Sequence, residues 1–456
     1  MATQASGLRR IPGEAVDTSV LASSITLPFS KRTAPNRFLK APMTERLCTW
    51  NKPDEPISLR GSPTPEYLRL YTHWGGASIG IIVAGNVMLR HDMVEAYGNP
   101  ILSDPTDTAR VAAFREVTTA VKREGSLFVA QLSMPGRQGP ATLNPHPVSA
   151  SDVHLKIGWS GNNFAPPRAL TVPEIHDIVK QWGTSAKLCY DAGFDGVQVH
   201  CAHGYLLAQF LSPTTNKRTD QYGGTFSNRT RIIFEILEEI RRQVPNPEFI
   251  ICVKLNSVEF QPEGQTPEDC RNLCVALEEA KVDFIDISGG TFEGRAFHHV
   301  KESTRQRESY FIEFADQIRP LLKKTLLYVT GGFRTAAGMV KAISENSCDG
   351  IGLGRPLGAE PYFCRDILSG KITGALESGV PLPKSTQSTG TQLHQVGRGE
   401  ELVSDWSSKE EVERWVEADK VEEERKLRIL PVVDSSGYAP LKPVVGLEFA
   451  KGIKTA

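Results

Sequence analysis

The sequence predicts an α/β protein whose main unit is a closed (β/α)8 TIM barrel, followed by a C-terminal extension. Eight short segments rich in apolar and β-branched residues alternate with longer amphipathic segments. With 456 residues, the chain has room for one barrel and further elements. An open doubly wound sheet is the alternative. Its first strand normally leads into a glycine-rich turn, whereas the first apolar segment here ends at Met43 and Thr44.

The eight apolar segments are nearly continuous in hydrophobic character, which is typical of parallel strands covered by helices. We predict strands at 38–44, 79–88, 126–132, 196–202, 249–256, 284–289, 326–331 and 350–354. In a barrel of this kind, functional side chains lie at the C-terminal ends of the strands. The residues at these ends are therefore the candidates for chemistry.

Helical patterns fill the intervals between the strands. We predict helices at 65–74, 108–124, 172–192, 227–243, 267–280, 310–323 and 335–344. Thr171 and Thr266 are predicted N-caps, and Glu174 completes a capping box with Thr171. Gly125 and Gly193 follow two helices and are predicted C-caps.

The chain changes character near residue 376, so we assign 1–375 to the barrel and 376–456 to the extension. Residues 385–395 are rich in Ser, Thr, Gln and Gly and are predicted to form a linker. Residues 407–429 are densely charged, with Val412, Trp415 and Val416 at helical spacing, and predict an amphipathic helix. Residues 429–445 are proline-rich and predicted to be extended. The extension is expected to dock as a lid, to form a homodimer contact or to stay mobile.

Composition and charge exclude several classes of protein. The net charge of −1 gives no field that favours nucleic acid or an anionic membrane, so neither is an expected partner. No apolar run has the length of a membrane span, and no leader is evident, so a cytoplasmic location is expected. The eight cysteines form no C-x-x-C pair, which indicates reduced core thiols and argues against an iron–sulfur cluster.

Glycine-rich turns follow the seventh and eighth predicted strands. The seventh ends at Gly331 and Gly332, and the eighth ends at Gly354 and Arg355. Glycine lets backbone N–H groups approach a phosphate closely, and arginine adds a charged fork. These two loops commonly hold a phosphate in such barrels, so we predict a phosphate site. The alternative is a pair of turns that need glycine for geometry alone.

The fourth predicted strand ends in two histidines and a tyrosine, His200, His203 and Tyr205. His203 would point away from His200 if the strand continued, so both face one site only if Gly204 turns the chain. Two imidazoles and a phenol can bind a carbonyl or phenolate oxygen and supply a proton. The alternatives are buried structural side chains, or a metal site, which lacks a third ligand at suitable spacing.

Gln131 and Lys254 lie near the ends of the third and fifth predicted strands. An amide offers both a donor and an acceptor, which suits a ring edge such as a flavin pyrimidine. A lysine in a barrel mouth needs nearby negative charge, and a reduced flavin carries such charge near N1. The alternative for Lys254 is a side chain that reaches solvent at the rim.

These residues together resemble the old yellow enzyme family of FMN-dependent ene-reductases. The strongest match is 200–213, HCAHGYLLAQFLSP, followed by 216–224, NKRTDQYGG, and then Asn228 and Arg229. Further matches lie at 36–37, 41–44, 136–138, 331–332 and 354–355, in the order of the family. The resemblance covers residues 25–370 and leaves the extension without a counterpart.

The resemblance implies a cofactor, FMN, and residues that would hold it. The flavin ring would be lined by Pro42, Met43, Thr44 and Gly85. The Thr44 hydroxyl would tune the flavin potential. The pyrimidine edge would be bound by Gln131, and Lys254 would lie beside N1 and O2. The phosphate would be held by Gly331, Gly332, Gly354 and Arg355.

The resemblance also implies an activity, the reduction of activated C=C bonds in enones and enals. NADH or NADPH would reduce FMN, and FMN would pass hydride to the substrate β-carbon. His200 and His203 would polarise the substrate carbonyl, and Tyr205 would give a proton to the α-carbon. A flavin-dependent dehydrogenase or double-bond isomerase of a biosynthetic pathway is the alternative activity, which loss of the tyrosine would favour. A non-catalytic barrel that serves as a binding module is a further alternative, but it would lack some of the flavin-binding, histidine or tyrosine residues, and all of them are present here.

Three further features depart from the family or remain open. Position 254 is lysine where many relatives have arginine, and lysine cannot make a bidentate contact. Residues 132–135 read LSMP, where relatives often have Trp or Ala followed by His, so we expect a different loop shape. Phe292, Phe297 and His298 follow the sixth predicted strand and are candidates either for the substrate pocket or for core packing.

Overall fold

A computed structural model describes residues 8–52, 54–157, 163–257, 264–289, 311–428, 438–444 and 446–448. Eight parallel strands close into a barrel in chain order, which confirms the predicted fold class. The strands are β1 Phe38–Lys40, β2 Ile81–Met88, β3 Leu127–Ser133, β4 Gly196–Cys201, β5 Ile250–Asn256, β6 Phe284–Ser288, β7 Leu326–Thr330 and β8 Gly350–Leu353. Strand β8 pairs with β1 and closes the ring.

Strand β1 is shorter than the predicted 38–44. The Ala41 N–H still donates to the Leu353 carbonyl at 2.8 Å, but Pro42 has no N–H with which to continue the ladder. The chain therefore leaves the barrel at this point. The segment from Pro42 to Arg46 forms a loop over the C-terminal ends of the strands.

Helices cover the outside of the barrel at the predicted places. They are α1 Pro65–Gly75, α2 Thr108–Lys122, α3 Val172–Asp191, α4 Phe226–Gln243, α5 Pro267–Glu279, α6 Ile312–Ile318 and α7 Ala336–Ser344. Thr171 and Glu174 form the predicted capping box, and Thr266 caps α5. Helix α6 ends earlier than predicted because Pro320 cannot donate to the helix ladder, and a 3₁₀ turn at Arg319–Leu321 follows it.

The barrel interior is filled by side chains at the end opposite to the strand C-termini. An N-terminal hairpin pairs Ile25–Thr26 with Thr33–Ala34 and packs Leu27 into this inner cluster. The Asp283 carboxylate accepts hydrogen bonds from the backbone N–H groups of the hairpin turn at 3.0 and 2.9 Å. The hairpin therefore closes this end, and the open end of the barrel is the one where the strands finish.

The prediction for the start of the extension was wrong. Residues 385–395 do not form a linker but most of a helix, which we call α10, Ser385–Arg398; it follows the short helices α8 Arg355–Ala359 and α9 Phe363–Leu368. Helix α10 is buried along most of its length against the barrel. Small residues allow this close packing, since a Cβ on Gly397 would lie 2.9 Å from the Leu47 side chain of the barrel, and one on Gly390 would lie 2.3 Å from the Tyr438 ring of the extension. The small residues that suggested a linker therefore allow the helix to pack closely against its neighbours.

The charged helix of the extension is α11, Lys409–Arg428, as predicted. Its Trp415 is fully buried, and the indole N–H donates to the Thr391 hydroxyl at 2.9 Å. An ion pair of 2.7 Å joins Lys384 to Asp419. Helix α11 thus packs on the start of the extension, in which α10 packs against the barrel. Among the described helices, none combines the length and apolar character that a membrane span requires.

Candidate active site at the barrel mouth

The turn after β4 brings both histidines to one side. The strand ends at Cys201, and His203 and Gly204 take left-handed conformations with φ of 61° and 78°. A Cβ on Gly204 would lie 2.4 Å from Gln138 Oε1, so only glycine fits. The Gln138 amide donates to the His203 carbonyl at 2.9 Å and holds the turn. The chain therefore turns at Gly204, as predicted for His200 and His203 to face one site.

The two imidazoles lie in a chain of four side chains. Nδ1 of His200 is 3.1 Å from the Ser133 hydroxyl, Nε2 of His200 is 3.1 Å from Nδ1 of His203, and Nε2 of His203 is 2.8 Å from the Ser288 hydroxyl. Burial, aided by the Lys254 charge, lowers the pKa of His203 to about 3 and that of His200 well below its usual range. Both rings are therefore neutral at pH 7, with one N–H each.

Tyr205 completes the group with its ring 4.8 Å from that of His200. The side chain is buried, and its hydroxyl hydrogen-bonds the Glu95 carboxylate. Burial and, secondly, the Glu95 charge raise the pKa of Tyr205 well above its usual value. The phenol therefore keeps its proton at neutral pH, and it lies beside two neutral imidazoles.

Lys254 does not reach solvent but is buried in an ion pair. Its ammonium lies 2.6 Å from Asp286, whose other oxygen accepts the Thr330 hydroxyl at 2.6 Å. A buried lysine needs such a partner, because an unpaired ammonium is costly to desolvate. The ammonium has three hydrogens, so it can bind a further acceptor while Asp286 holds it.

Gln131 lies beside Lys254 in the same polar layer. Its amide donates to Gln198 Oε1 at 2.8 Å, and the Gln198 amide is 3.4 Å from Asp286. The Nδ2 atom of Asn256, at the end of β5, is buried without a hydrogen-bond partner among the described residues. Amide, ammonium and an unsatisfied N–H thus face one end of the mouth.

The loop after β1 forms a second wall of the mouth. Gly85 in β2 lies against it so closely that a Cβ there would lie 1.6 Å from the Met43 carbonyl oxygen. The Thr44 hydroxyl is 3.2 Å from Glu95 Oε2 and 3.5 Å from the Asn86 side-chain oxygen. Pro42, Met43 and Thr44 are all partly exposed. This loop therefore presents its side chains at the open end of the barrel.

The extension holds this same loop from outside. The Tyr438 hydroxyl donates to the Thr44 carbonyl, and Nε2 of His394 is 2.9 Å from the Glu45 carbonyl oxygen. On the inner side, the Glu45 carboxylate forms a fully buried ion pair of 2.7 Å with Lys40. The backbone of the loop is thus fixed on both sides.

The turns after β7 and β8 have the predicted glycine geometry. Gly331 and Gly332 have φ of 127° and 100°, a region that favours glycine. Gly354 precedes Arg355, the first residue of α8. Arg355 also borders a cavity of about 60 Å³ between the barrel and α10. Both predicted anion-binding turns therefore lie at the same end of the barrel as the histidines.

These residues fit an FMN molecule by their chemistry. A flavin has a polar pyrimidine edge, and the mouth offers the Gln131 amide, the Lys254 ammonium and the unsatisfied Asn256 amide. FMN ends in a phosphate, and the glycine turns beside Arg355 offer backbone N–H groups and a positive charge. The two sets lie at the same end of one barrel, on β3 and β5 and in the turns after β7 and β8.

Sequence reasoning missed several members of this site. Ser133 and Ser288 are terminal residues of their strands, so the rule that pointed to His200 could have found them. Asp286 lies two residues before Ser288 and so shares its face. Glu95 comes from a loop, and no periodic signal marks it. Phe292, Phe297 and His298 lie outside the described residues.

Comparisons with known proteins agree with this site. The sequence profile of the NADH:flavin oxidoreductase / NADH oxidase family matches residues 27–373. The NADH-dependent flavin oxidoreductase nadA of Aspergillus parasiticus is 46% identical over 371 residues, which cover 80% of this chain and 82% of that protein. The NADH-dependent flavin oxidoreductase iccE of Talaromyces variabilis is 34% identical, and the match covers 76% of this chain and 86% of that protein.

Solved structures support the fold. The old yellow enzyme homologue from Zymomonas mobilis superimposes with a TM-score of 0.63 at 24% identity, covering 78% of this chain and 94% of that one. A morphinone reductase in complex with tetrahydroNAD superimposes with a TM-score of 0.61, also at 24% identity, covering 82% and 94%. The chain therefore belongs to the NADH:flavin oxidoreductase / NADH oxidase family, and it is an FMN-dependent NAD(P)H oxidoreductase of the old yellow enzyme type.

Proposed function

We propose that this enzyme reduces activated C=C bonds of α,β-unsaturated carbonyl compounds, with His200 and His203 binding the carbonyl oxygen and Tyr205 donating the proton. When bound, FMN supplies the hydride that it has taken from NADH or NADPH. The observation that carries the proposal is the cluster of two neutral imidazoles and one protonated phenol at the end of β4.

The serines at both ends of the histidine chain support the carbonyl-binding role. If the Ser133 hydroxyl donates to Nδ1 of His200, that ring carries its proton on Nε2 and donates it to Nδ1 of His203, and the Nε2–H of His203 donates to the Ser288 hydroxyl. When a substrate oxygen replaces Nδ1 of His203 as the acceptor, the His200 N–H can bind it, and the His203 tautomer with its proton on Nδ1 can donate to the same oxygen. Such donors lower the barrier because they act where enolate charge develops.

The electrostatics of Tyr205 support its role as the acid. A buried phenol with a raised pKa keeps its proton until the substrate carbon becomes basic. For the cofactor, we propose that Gln131 and Lys254 bind the pyrimidine edge, that Pro42, Met43, Thr44 and Gly85 line the ring, and that the phosphate is bound by Gly331, Gly332, Gly354 and Arg355. The barrel, residues 1–375, would supply all of these contacts.

The test separates the two half-reactions. FMN-loaded enzyme is reduced without oxygen by NADH or NADPH and then mixed with cyclohexenone while flavin absorbance is followed. We expect rapid reoxidation and cyclohexanone as product. Tyr205→Phe should slow this step by about 10²- to 10⁴-fold and leave reduction by NADH unchanged. Tyr222→Phe, at a tyrosine bound to Glu235, is the matched control. Reoxidation without a saturated product would contradict the proposal.

A flavin-dependent dehydrogenase or double-bond isomerase is the second candidate. It is favoured by the Glu95 carboxylate on the Tyr205 hydroxyl, because a phenol that can pass its proton on can also accept one from a substrate carbon. In the same apparatus, oxidised enzyme would be reduced by a saturated ketone, or would shift a double bond without NADH. Neither reaction is expected if reduction is the physiological direction.

A further inference from the structure

Glu95 is a carboxylate at the barrel mouth that has none of the roles assigned above. It lies in the loop after β2 and is partly exposed. Its Oε2 atom is 3.2 Å from the Thr44 hydroxyl, 3.4 Å from the Asn86 amide and 3.5 Å from the Asn99 amide, and the carboxylate also bonds the Tyr205 hydroxyl. One carboxylate thus contacts both the proposed proton donor and the loop that would line the flavin ring.

We propose that Glu95 is a positioning residue that recharges Tyr205 with a proton from solvent in each turnover. This inference rests on the proposed role of Tyr205. When Tyr205 protonates the substrate carbon, its O–H bond breaks and a C–H bond forms. A proton from water then passes through a Glu95 oxygen to the phenolate, where a new O–H bond forms. The electron pair for the substrate comes from NADH through FMN, so the relay moves protons alone.

Burial explains why a relay is needed. Tyr205 is only 7% exposed, so water has little direct access to its hydroxyl. A buried phenolate beside a carboxylate is strongly disfavoured, and the next turnover requires its protonation. Glu95 is partly exposed and already hydrogen-bonded to the hydroxyl, which makes it a connection between the phenol and solvent.

The relay predicts that Glu95→Gln changes the rate of the enone step in the direction opposite to the one that electrostatics alone predicts. Glu95→Gln keeps the shape but removes the charge, so Tyr205 becomes a stronger acid. If Glu95 acted only by its charge, proton donation would become faster. If Glu95 relays the proton, the enone step is not slowed in the first turnover, which uses the proton already on Tyr205, but it slows by about tenfold or more in later turnovers, because recharging is lost. Arg46 and Tyr438 also act on the titration of Tyr205, and both remain in the variant.

The experiment measures tyrosine ionisation and the half-reactions separately. Ultraviolet titration of tyrosinate, with Tyr205→Phe as the subtraction, should show Tyr205 ionising at lower pH in Glu95→Gln. Repeated-turnover stopped flow should then show a slower enone step, a larger solvent deuterium effect and an unchanged NADH step. Asp92→Asn, an exposed carboxylate of the same loop paired with Arg90, is the matched control and should behave as the parent.

The outcomes distinguish the relay from the function on which it rests. A Glu95→Gln enzyme whose enone step is equally fast or faster in repeated turnovers refutes the relay. An equal loss in the NADH step would also refute it, because that loss reflects damage to the flavin site. If Tyr205→Phe itself leaves the enone step fast, the proposed role of Tyr205 fails, whatever Glu95 does.

Discussion

His394 gives a pH dependence of stability that follows from its environment. This histidine of α10 is 4% exposed, and its ring nitrogen lies 2.9 Å from the Glu45 carbonyl oxygen. Burial, followed by the Arg398 charge, lowers its pKa to about 3. In the unfolded chain a histidine has a pKa of about 6.5. Between these values the unfolded chain binds a proton that the folded protein does not bind.

The sign and the size of the effect follow from this difference. The stabilisation is fully present above pH 6.5 and is lost as the pH falls toward about 3. From pH 7 to pH 5, a pKa of about 6.5 in the unfolded chain gives a loss of about 2 kcal/mol for this one group. Carboxylates ordinarily titrate at about pH 4 and contribute little in this window.

The assay compares parent and His394→Gln in urea titrations at pH 7 and pH 5, followed by tryptophan fluorescence. Trp406 and Trp415 lie in the extension and report its unfolding. The variant should be less stable than the parent at pH 7. Its free energy of unfolding should fall from pH 7 to pH 5 by about 2 kcal/mol less than that of the parent. His176→Gln, at an exposed site on α3, should keep the parental loss. Equal pH slopes in the parent and His394→Gln would refute the reasoning.

Two further predictions concern the cofactor site. Asp286→Asn leaves the buried Lys254 ammonium without its 2.6 Å partner, so the free energy of unfolding should fall by about 3–5 kcal/mol. Adding Lys254→Met to the same chain should restore part of this stability. A double variant as unstable as Asp286→Asn alone would contradict the prediction. Gly85→Ala forces a Cβ to within 1.6 Å of the Met43 carbonyl oxygen, so the purified protein should contain less FMN per chain by absorbance. Gly76→Ala, with its nearest atom 3.5 Å away on a flexible side chain, is the control and should retain FMN.

The barrel could be predicted because each of its parts carries a local signal. The strands are nearly continuous apolar runs, and the caps at Thr171 and Thr266 satisfy backbone groups within one turn. The His200, His203 and Tyr205 cluster was found because the glycine at 204 limited how the chain could turn. Such features are fixed by neighbours in the sequence.

The parts that were missed depend on contacts between distant segments. Helix α10 is rich in small polar residues, which resemble a linker until Tyr438 and the barrel surface pack against it. Lys254 was expected to need a negative partner, but the sequence could not say that Asp286 on the adjacent strand supplies it. Glu95 meets Tyr205 only after two loops converge at the mouth.

The contacts of the loop after β1 also bear on the order in which the protein matures during synthesis. Strand β1 pairs with β8. The Thr44 carbonyl is bound by Tyr438, which comes 394 positions later in the chain, and the Glu45 carbonyl is bound by His394, which comes 349 positions later. A ribosome releases the N-terminal side of the flavin site long before its last partners exist. Contacts at such separations form late, because the intervening chain must be ordered first. Stable capture of the cofactor therefore belongs to the end of synthesis, and a nascent chain stalled inside the extension should be released without flavin.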